Sequence, residues 1–236
     1  MSASAFVIEP PAQAAAKVIG GGLFPVRRIF CIGKNYADHV KEMGGDPKKD
    51  KPVFFTKPAD AIVESGQSFP YAQGTENLHY EGELVVALKG GGKNIATPEA
   101  AAALIFGYAA GCDMTRRDLQ AAAKGAGGPW DTAKAFDNSA PLGLIVPAKD
   151  FPDSKIASSR LKLSVNGEVR QDAALSSMIW SIPEIIVTLS KLFELKAGDL
   201  IFTGTPEGVG ALAPGDRVEV SIGSLPALEF SIEPKR

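Results

Sequence analysis

Cysteine and histidine are scarce in this chain, with two of each among 236 residues. Two cysteines are too few for a disulfide framework. Both Cys31 and Cys112 lie in apolar, strand-like runs, where buried free thiols of a cytoplasmic protein are expected. There is no H-E-x-x-H, no paired C-x-x-C and no G-x-S-x-G, which removes the common zinc-hydrolase and serine-hydrolase signatures. No run approaches the ~18–20 continuous apolar residues of a membrane helix. The N-terminus has neither the basic start nor the sustained apolar stretch of a signal peptide. Charge of one sign is also lacking. The net charge is -2, so nothing argues for nucleic acid or an acidic membrane as partner.

Two glycine-rich stretches also fail on context. "KGGGKN" (residues 89–94) has no Ser or Thr after its second lysine, so it reads as an exit loop rather than a phosphate cradle. "GTPEGVG" (residues 204–210) is followed by another strand pattern. A dinucleotide fold would need a helix there, to present its N-terminus to a pyrophosphate.

What is present is an ordinary globular composition, 45% hydrophobic and 22% charged, long enough for a real core. Twenty-five glycines and 17 prolines separate short apolar runs, which points to many strands and tight turns. Strands are expected at residues 26–33, 52–58, 78–90 and 104–113. Helices are expected from Ala37 to Met43, after the Thr97-Pro98 cap, and over "RRDLQAAAKG" up to a stop at Gly125. Beyond residue 143 the pattern is plainly β, with an Asn166-Gly167 hairpin turn. One strong helix interrupts it, carrying Ile182, Ile185, Ile186, Leu189 and Phe193 at helical spacing. No internal repeat or linker divides the chain. The reading is a poorly packed N-terminal arm at 1–25, with an edge strand as the alternative for it, and one domain at 26–236.

The chemistry starts with Glu81 and Glu83. On one strand, residues i and i+2 project to the same face. Two carboxylates that close repel unless one is protonated or a cation lies between them. Asp113, ending another strand, could add a third oxygen ligand. Such a set suits Mg2+ or Mn2+ better than zinc. The alternative is an edge strand with two exposed acids. His79 would share that face, either as a further ligand or as a support or packed side chain. His39 and Glu42 are three apart on a helix and can touch. A histidine oriented by a carboxylate is a candidate general base, although such pairs also occur as plain surface salt bridges. Lys34, Lys57, Arg117 and Lys134 flank strands or open a helix. Each is either a solvated charge or part of an anion site.

Six segments, "GKNYADHVKEM", "FFTKPADAIV", "HYEGELVVAL", "GCDMTRRDLQ", "PWDTAKAFDNSAPLG" and "DLIFTGTPEGVG", occur in one order that resembles the fumarylacetoacetate hydrolase superfamily, in its acylpyruvate hydrolase branch. The likeness runs from about residue 26 to the C-terminus and is strongest to bacterial fumarylpyruvate hydrolases. It implies a mainly β fold with some α, a roll of mixed sheets. It also implies a cytoplasmic homodimer with bound Mg2+ or Mn2+ and a small dicarboxylate, acylpyruvate-type substrate. By the same likeness the metal ligands are Glu81, Glu83 and Asp113, and His39 with Glu42 activates water. Lys134 is catalytic, Arg117, Gln120 and Thr205 contact substrate, and Lys57 and Lys34 belong to the anion-binding set. Lys34 stands where the family usually has arginine, so bidentate recognition is lost there while charge is kept. The activity implied is cleavage of fumarylpyruvate to fumarate and pyruvate in gentisate catabolism. Oxaloacetate decarboxylation through the same enolate is an alternative, and a metal-stabilised binding protein is a third.

Overall fold

The strand Gly82–Leu88 is buried at every position, and the period of two along it feeds two different cores. The computed structural model describes residues 6–46 and 52–235. In it Leu84, Val86 and Leu88 join one apolar cluster, while Val85 and Ala87 join another. The strand lies inside an eight-stranded mixed sheet. Its order is Val53–Lys57, Arg28–Gly33, Asp199–Phe202, Gly82–Leu88, Ile105–Cys112, Ala140–Leu142 and Ile62–Glu64, with Val146–Pro147 also pairing to Ile105–Cys112. Arg28–Gly33 and Asp199–Phe202 are parallel, whereas Gly82–Leu88 is antiparallel to both of its neighbours.

The first cluster is closed by a second sheet, of strands Glu168–Ala174, Arg160–Val165, Arg217–Ile222, Leu228–Glu233 and Ser68–Pro70. Leu161, Leu163, Val218 and Val220 supply its inner face. The Asn166-Gly167 turn has φ of 53° and 83°, the two left-handed residues that a tight hairpin requires. Helix Ile182–Leu192 packs Ile182, Ile185, Ile186 and Leu189 on the same cluster. Its entry is fixed by the Ser181 N–H donating to Glu184 Oε2 at 2.8 Å, half of a capping box. The fold is mainly β with a few helices, and no described helix is long and apolar enough to cross a membrane.

Three expectations change. The arm is better packed than its sequence suggests. Ala15–Lys17 and Leu23–Pro25 form a hairpin that buries Ala16 and Phe24 in the second cluster; residues 1–5 lie outside the described ones. The helix after Thr115 runs Arg117–Ala126, straight through Gly125. It stops at Gly127, whose φ of 66° supplies the left-handed cap. The single strand expected over 78–90 is broken at Glu81. Leu78–Tyr80 belongs to a three-stranded sheet with Thr115–Arg116 and Gly210–Ala211.

That break keeps its register. Gly82 pairs with Cys112 and His79 with Thr115, and the Asp113 N–H donates to the Glu81 carbonyl at 2.8 Å across the gap. Glu81 therefore faces Asp113, and Glu83 faces Gly111. Gly111 is a packing requirement, because a Cβ there would stand 2.4 Å from Val85 Cγ2 and 2.9 Å from Phe202 Cε1. Gly111→Ala is expected to destabilise the fold by about 1–3 kcal/mol through overpacking. Urea unfolding checks this, and an unchanged midpoint would contradict the tight fit.

Candidate active site

Opposed positions on an antiparallel ladder share a face, and so do positions two apart. Glu81, Asp113 and Glu83 therefore come to one side of one ladder, at the end of the second core. One oxygen from each lies within 4.8 Å of the others, and all three residues are buried. Buried carboxylates this close need opposite charge. Lys134, in the short helix Asp131–Lys134, bridges two of them. Its Nζ donates to Glu81 Oε2 at 2.7 Å, Asp113 Oδ2 at 2.7 Å and Thr115 Oγ1 at 2.6 Å. Arg117 Nη2 takes the other Glu81 oxygen at 2.6 Å.

The three acids end in different states. Burial pushes the Glu81 carboxyl up, but Lys134 and Arg117 overcome it and hold the group well below the usual carboxylate range. Burial, then the Asp113 and Glu81 charges, push the Glu83 carboxyl well above that range. Among the described residues no cationic side chain pairs with Glu83; the Gly204 N–H donates to its Oε2 at 2.7 Å. Asp113 Oδ1 is also incompletely served. Lys57 Nζ stands 2.8 Å away, yet that buried oxygen accepts no well-aligned hydrogen bond. Three convergent oxygen ligands, one carboxylate without a cation and one orphaned oxygen fit a hard divalent cation.

Lys57 does not line the cavity where a substrate contact was expected. It is fully buried behind Asp113, donates to the Met114 carbonyl at 3.1 Å and also to the Lys134 carbonyl, and so holds Asp113 and Lys134 in place. His79 is not in the carboxylate cluster either. Its Nε2 lies 2.8 Å from Asn77 Oδ1, and its Nδ1 accepts from Arg117 Nε at 3.3 Å. Burial, and then the Arg117 guanidinium, lower the ring to about 4. The neutral ring thus supports Arg117, which also grips Gln120 Oε1 at 2.7 Å.

His39 lies on the helix Ala37–Glu42, with Nδ1 2.9 Å from Glu42 Oε2. The second Glu42 oxygen accepts from the Gly208 N–H at 3.0 Å, which ties that helix to the glycine loop. The same loop carries Thr205, whose Oγ1 accepts from Gln171 Nε2 at 2.8 Å. Gln171 Oε1 in turn accepts from the Gly82 N–H at 2.9 Å. His39, Glu81, Lys34, Arg117, Gln120, Lys134 and Thr205 all line one cavity of about 420 Å3. Lys34 adopts a left-handed φ of 67° there, a local cost of order 1 kcal/mol.

Asn35 and Gln171 escaped the sequence reading. Asn35 is fully buried and joins Thr203 and Trp180, donating to both carbonyls at 2.7 and 3.2 Å and accepting from the Trp180 N–H at 2.7 Å. A polar residue two beyond the end of an apolar strand was the available signal for Asn35. Gln171 sits on an ordinary alternating strand and had none.

Residues 28–233 match a family model described as fumarylacetoacetate (FAA) hydrolase C-terminal. The mitochondrial oxaloacetate tautomerase of Rattus norvegicus is 45% identical over 208 residues, 88% of this chain and 92% of that protein. The fumarylpyruvate hydrolase of a Ralstonia species is 39% identical over 189 residues, 80% of this chain and 96% of that one. The crystal structure of fumarylpyruvate hydrolase from Pseudomonas aeruginosa, in complex with Mn2+ and pyruvate, superposes with a TM-score of 0.94 at 43% identity. It covers 98% of this chain and 100% of that chain.

Lys134→Met leaves two buried carboxylates short of their ammonium. It is expected to destabilise the protein by about 3–5 kcal/mol in chelator, and added Mn2+ should recover more stability than it does in the wild type. Thermal melts with and without metal check this; wild-type stability in chelator would contradict the ion-pair account.

Proposed function

The chain belongs to the fumarylacetoacetate hydrolase family, and from that premise we propose that it hydrolyses 3-acylpyruvates, with fumarylpyruvate as the preferred substrate. The observation that carries this is the His39–Glu42 pair, 2.9 Å apart, in the same cavity as Glu81 and Lys134. Binding alone needs no base; hydrolysis does.

The charges support a 2-oxo acid. Glu81 and Asp113 are paired with Lys57, Arg117 and Lys134, and Glu83 lies beside them. A divalent cation held by the three acids would leave positive charge in excess and supply Lewis-acid stabilisation to the carboxylate and enolate of a pyruvate unit. His39, oriented through Nδ1 by Glu42, takes a proton from water at Nε2, and the water oxygen attacks the acyl carbonyl at C4. The C3–C4 bond breaks with its electron pair passing to the pyruvate enolate. Lys134 stabilises that developing charge, and protonation at C3 completes pyruvate while the acyl group leaves as fumarate. Arg117, Gln120, Lys34 and Thr205 orient the substrate. Lys57 acts behind them by fixing Asp113 and Lys134. The reading is of a cytoplasmic, homodimeric enzyme of aromatic-ring catabolism.

A second reading rests on the 45% identity to the rat oxaloacetate tautomerase. The same base could carry a proton between C3 and the C2 oxygen of oxaloacetate without activating water. Decarboxylation would use the same enolate. Fumaryl-, maleyl- and acetylpyruvate and oxaloacetate, each assayed after chelation and with Mg2+ or Mn2+ restored, separate these readings. The expected result is metal-dependent hydrolysis led by fumarylpyruvate; keto–enol exchange of oxaloacetate with no acylpyruvate turnover would replace it. His39→Ala is expected to lower kcat for hydrolysis by about 10²–10⁴ while metal binding persists. An unchanged kcat would remove the base role.

A further inference from the structure

Helix Arg117–Ala126 buries only Arg117 and Gln120. A surface helix ordinarily turns apolar residues inward. This one turns polar residues inward, so its inner face borders a binding cavity rather than a core. Lys124 is the next residue on that face, four beyond Gln120 and seven beyond Arg117, and it too lines the cavity.

Lys124 differs from the inner cations. Its ammonium makes no side-chain hydrogen bond or ion pair among the described residues, and Nζ stands 5.2 Å from the centre of the Trp130 ring. Trp130 packs on Phe55 with ring centres 5.7 Å apart. Phe55 in turn lies 5.1 Å below the Lys134 ammonium. Both rings line the cavity. An aromatic wall therefore runs from Lys134, beside the acids, to an exposed ammonium at the rim. Desolvation at the rim, and then the Arg117 guanidinium, lower the Lys124 amine from its ordinary value. A cation crowded by another cation gains most from an anion that arrives with the ligand.

We propose that Phe55, Trp130 and Lys124 form the acyl subsite, and that it selects planar acyl groups ending in a carboxylate. This deepens the acylpyruvate reading and rests on it. A conjugated acyl chain lies flat against the rings, and its terminal carboxylate makes a charge-assisted pair with Lys124. A neutral acyl group leaves Lys124 unpaired.

The test compares fumarylpyruvate with acetylpyruvate in the wild type, Lys124→Met and Lys124→Arg. In Lys124→Met the fumaryl-to-acetyl ratio of kcat/KM is expected to fall about tenfold to a hundredfold, mainly through KM. Lys124→Arg should keep most of the ratio. An unchanged ratio in Lys124→Met would overturn the subsite. A wild type that hydrolyses neither compound would instead overturn the acylpyruvate reading. Calorimetric binding of both compounds to the Mn2+-loaded protein then decides the subsite alone. Selective loss of affinity for the fumaryl compound in Lys124→Met supports it, and equal losses for both refute it.

Discussion

The Lys134 ammonium between Glu81 and Asp113 is the contact on which the rest of the site depends. Glu81 and Asp113 face each other across a ladder, so their charges cannot separate without breaking the register that runs from His79–Thr115 to Gly82–Cys112. Buried acids in that position are tolerable only with opposite charge held equally firmly. Lys134 reaches both carboxylates and Thr115 at once, while Lys57 grips the Lys134 backbone from below. The ion network and the backbone geometry constrain each other.

The two cores give this network a stiff base. Gly82–Leu88 sends alternate side chains into both clusters, so neither face can move toward solvent. A side chain at Gly111 would collide with Val85 and Phe202, and one at Gly82 would press to 3.1–3.2 Å from Leu163 and Gln171. Gln171 links the Gly82 backbone to Thr205, and Glu42 links the His39 helix to Gly208. His39 is therefore referenced to the glycine loop, and that loop to the strand carrying the acids. Three segments distant in sequence are held to one geometry by hydrogen bonds, while the short helix Ala37–Glu42 itself buries only His39 and Val40.

Much of this was legible beforehand because it depends on local periodicity. The alternation of residues 84–88, the Asn166-Gly167 turn, the apolar stripe from Ile182 to Leu189 and the i, i+3 spacing of His39 and Glu42 are properties of short windows. The side-by-side placement of Glu81 and Glu83 is too, and the motif order extended that local reading to the family. The misreadings are also local in origin. Gly125 looked like a helix stop because glycine usually is one, but the cap needed a left-handed residue, and that demand fell on Gly127. The run at 78–90 looked like one strand because nothing in its pattern marks Glu81 as a junction between sheets.

The sequence by itself determined the elements, the family and the residue types of a carboxylate cluster with a histidine–glutamate pair beside it. Tertiary structure alone decided which groups serve it. Lys57 and Arg117 are both cations near strand or helix ends, yet one is sealed behind Asp113 and the other faces the cavity. His79 shares a parity with the glutamates, yet it meets Arg117 rather than the acids. Gln171 and Asn35 carry no mark of their role. The physical reason is that charge and hydrogen bonding act over a few ångströms in space. Separation along the chain says nothing about those distances once the ladders, loops and second sheet have folded together.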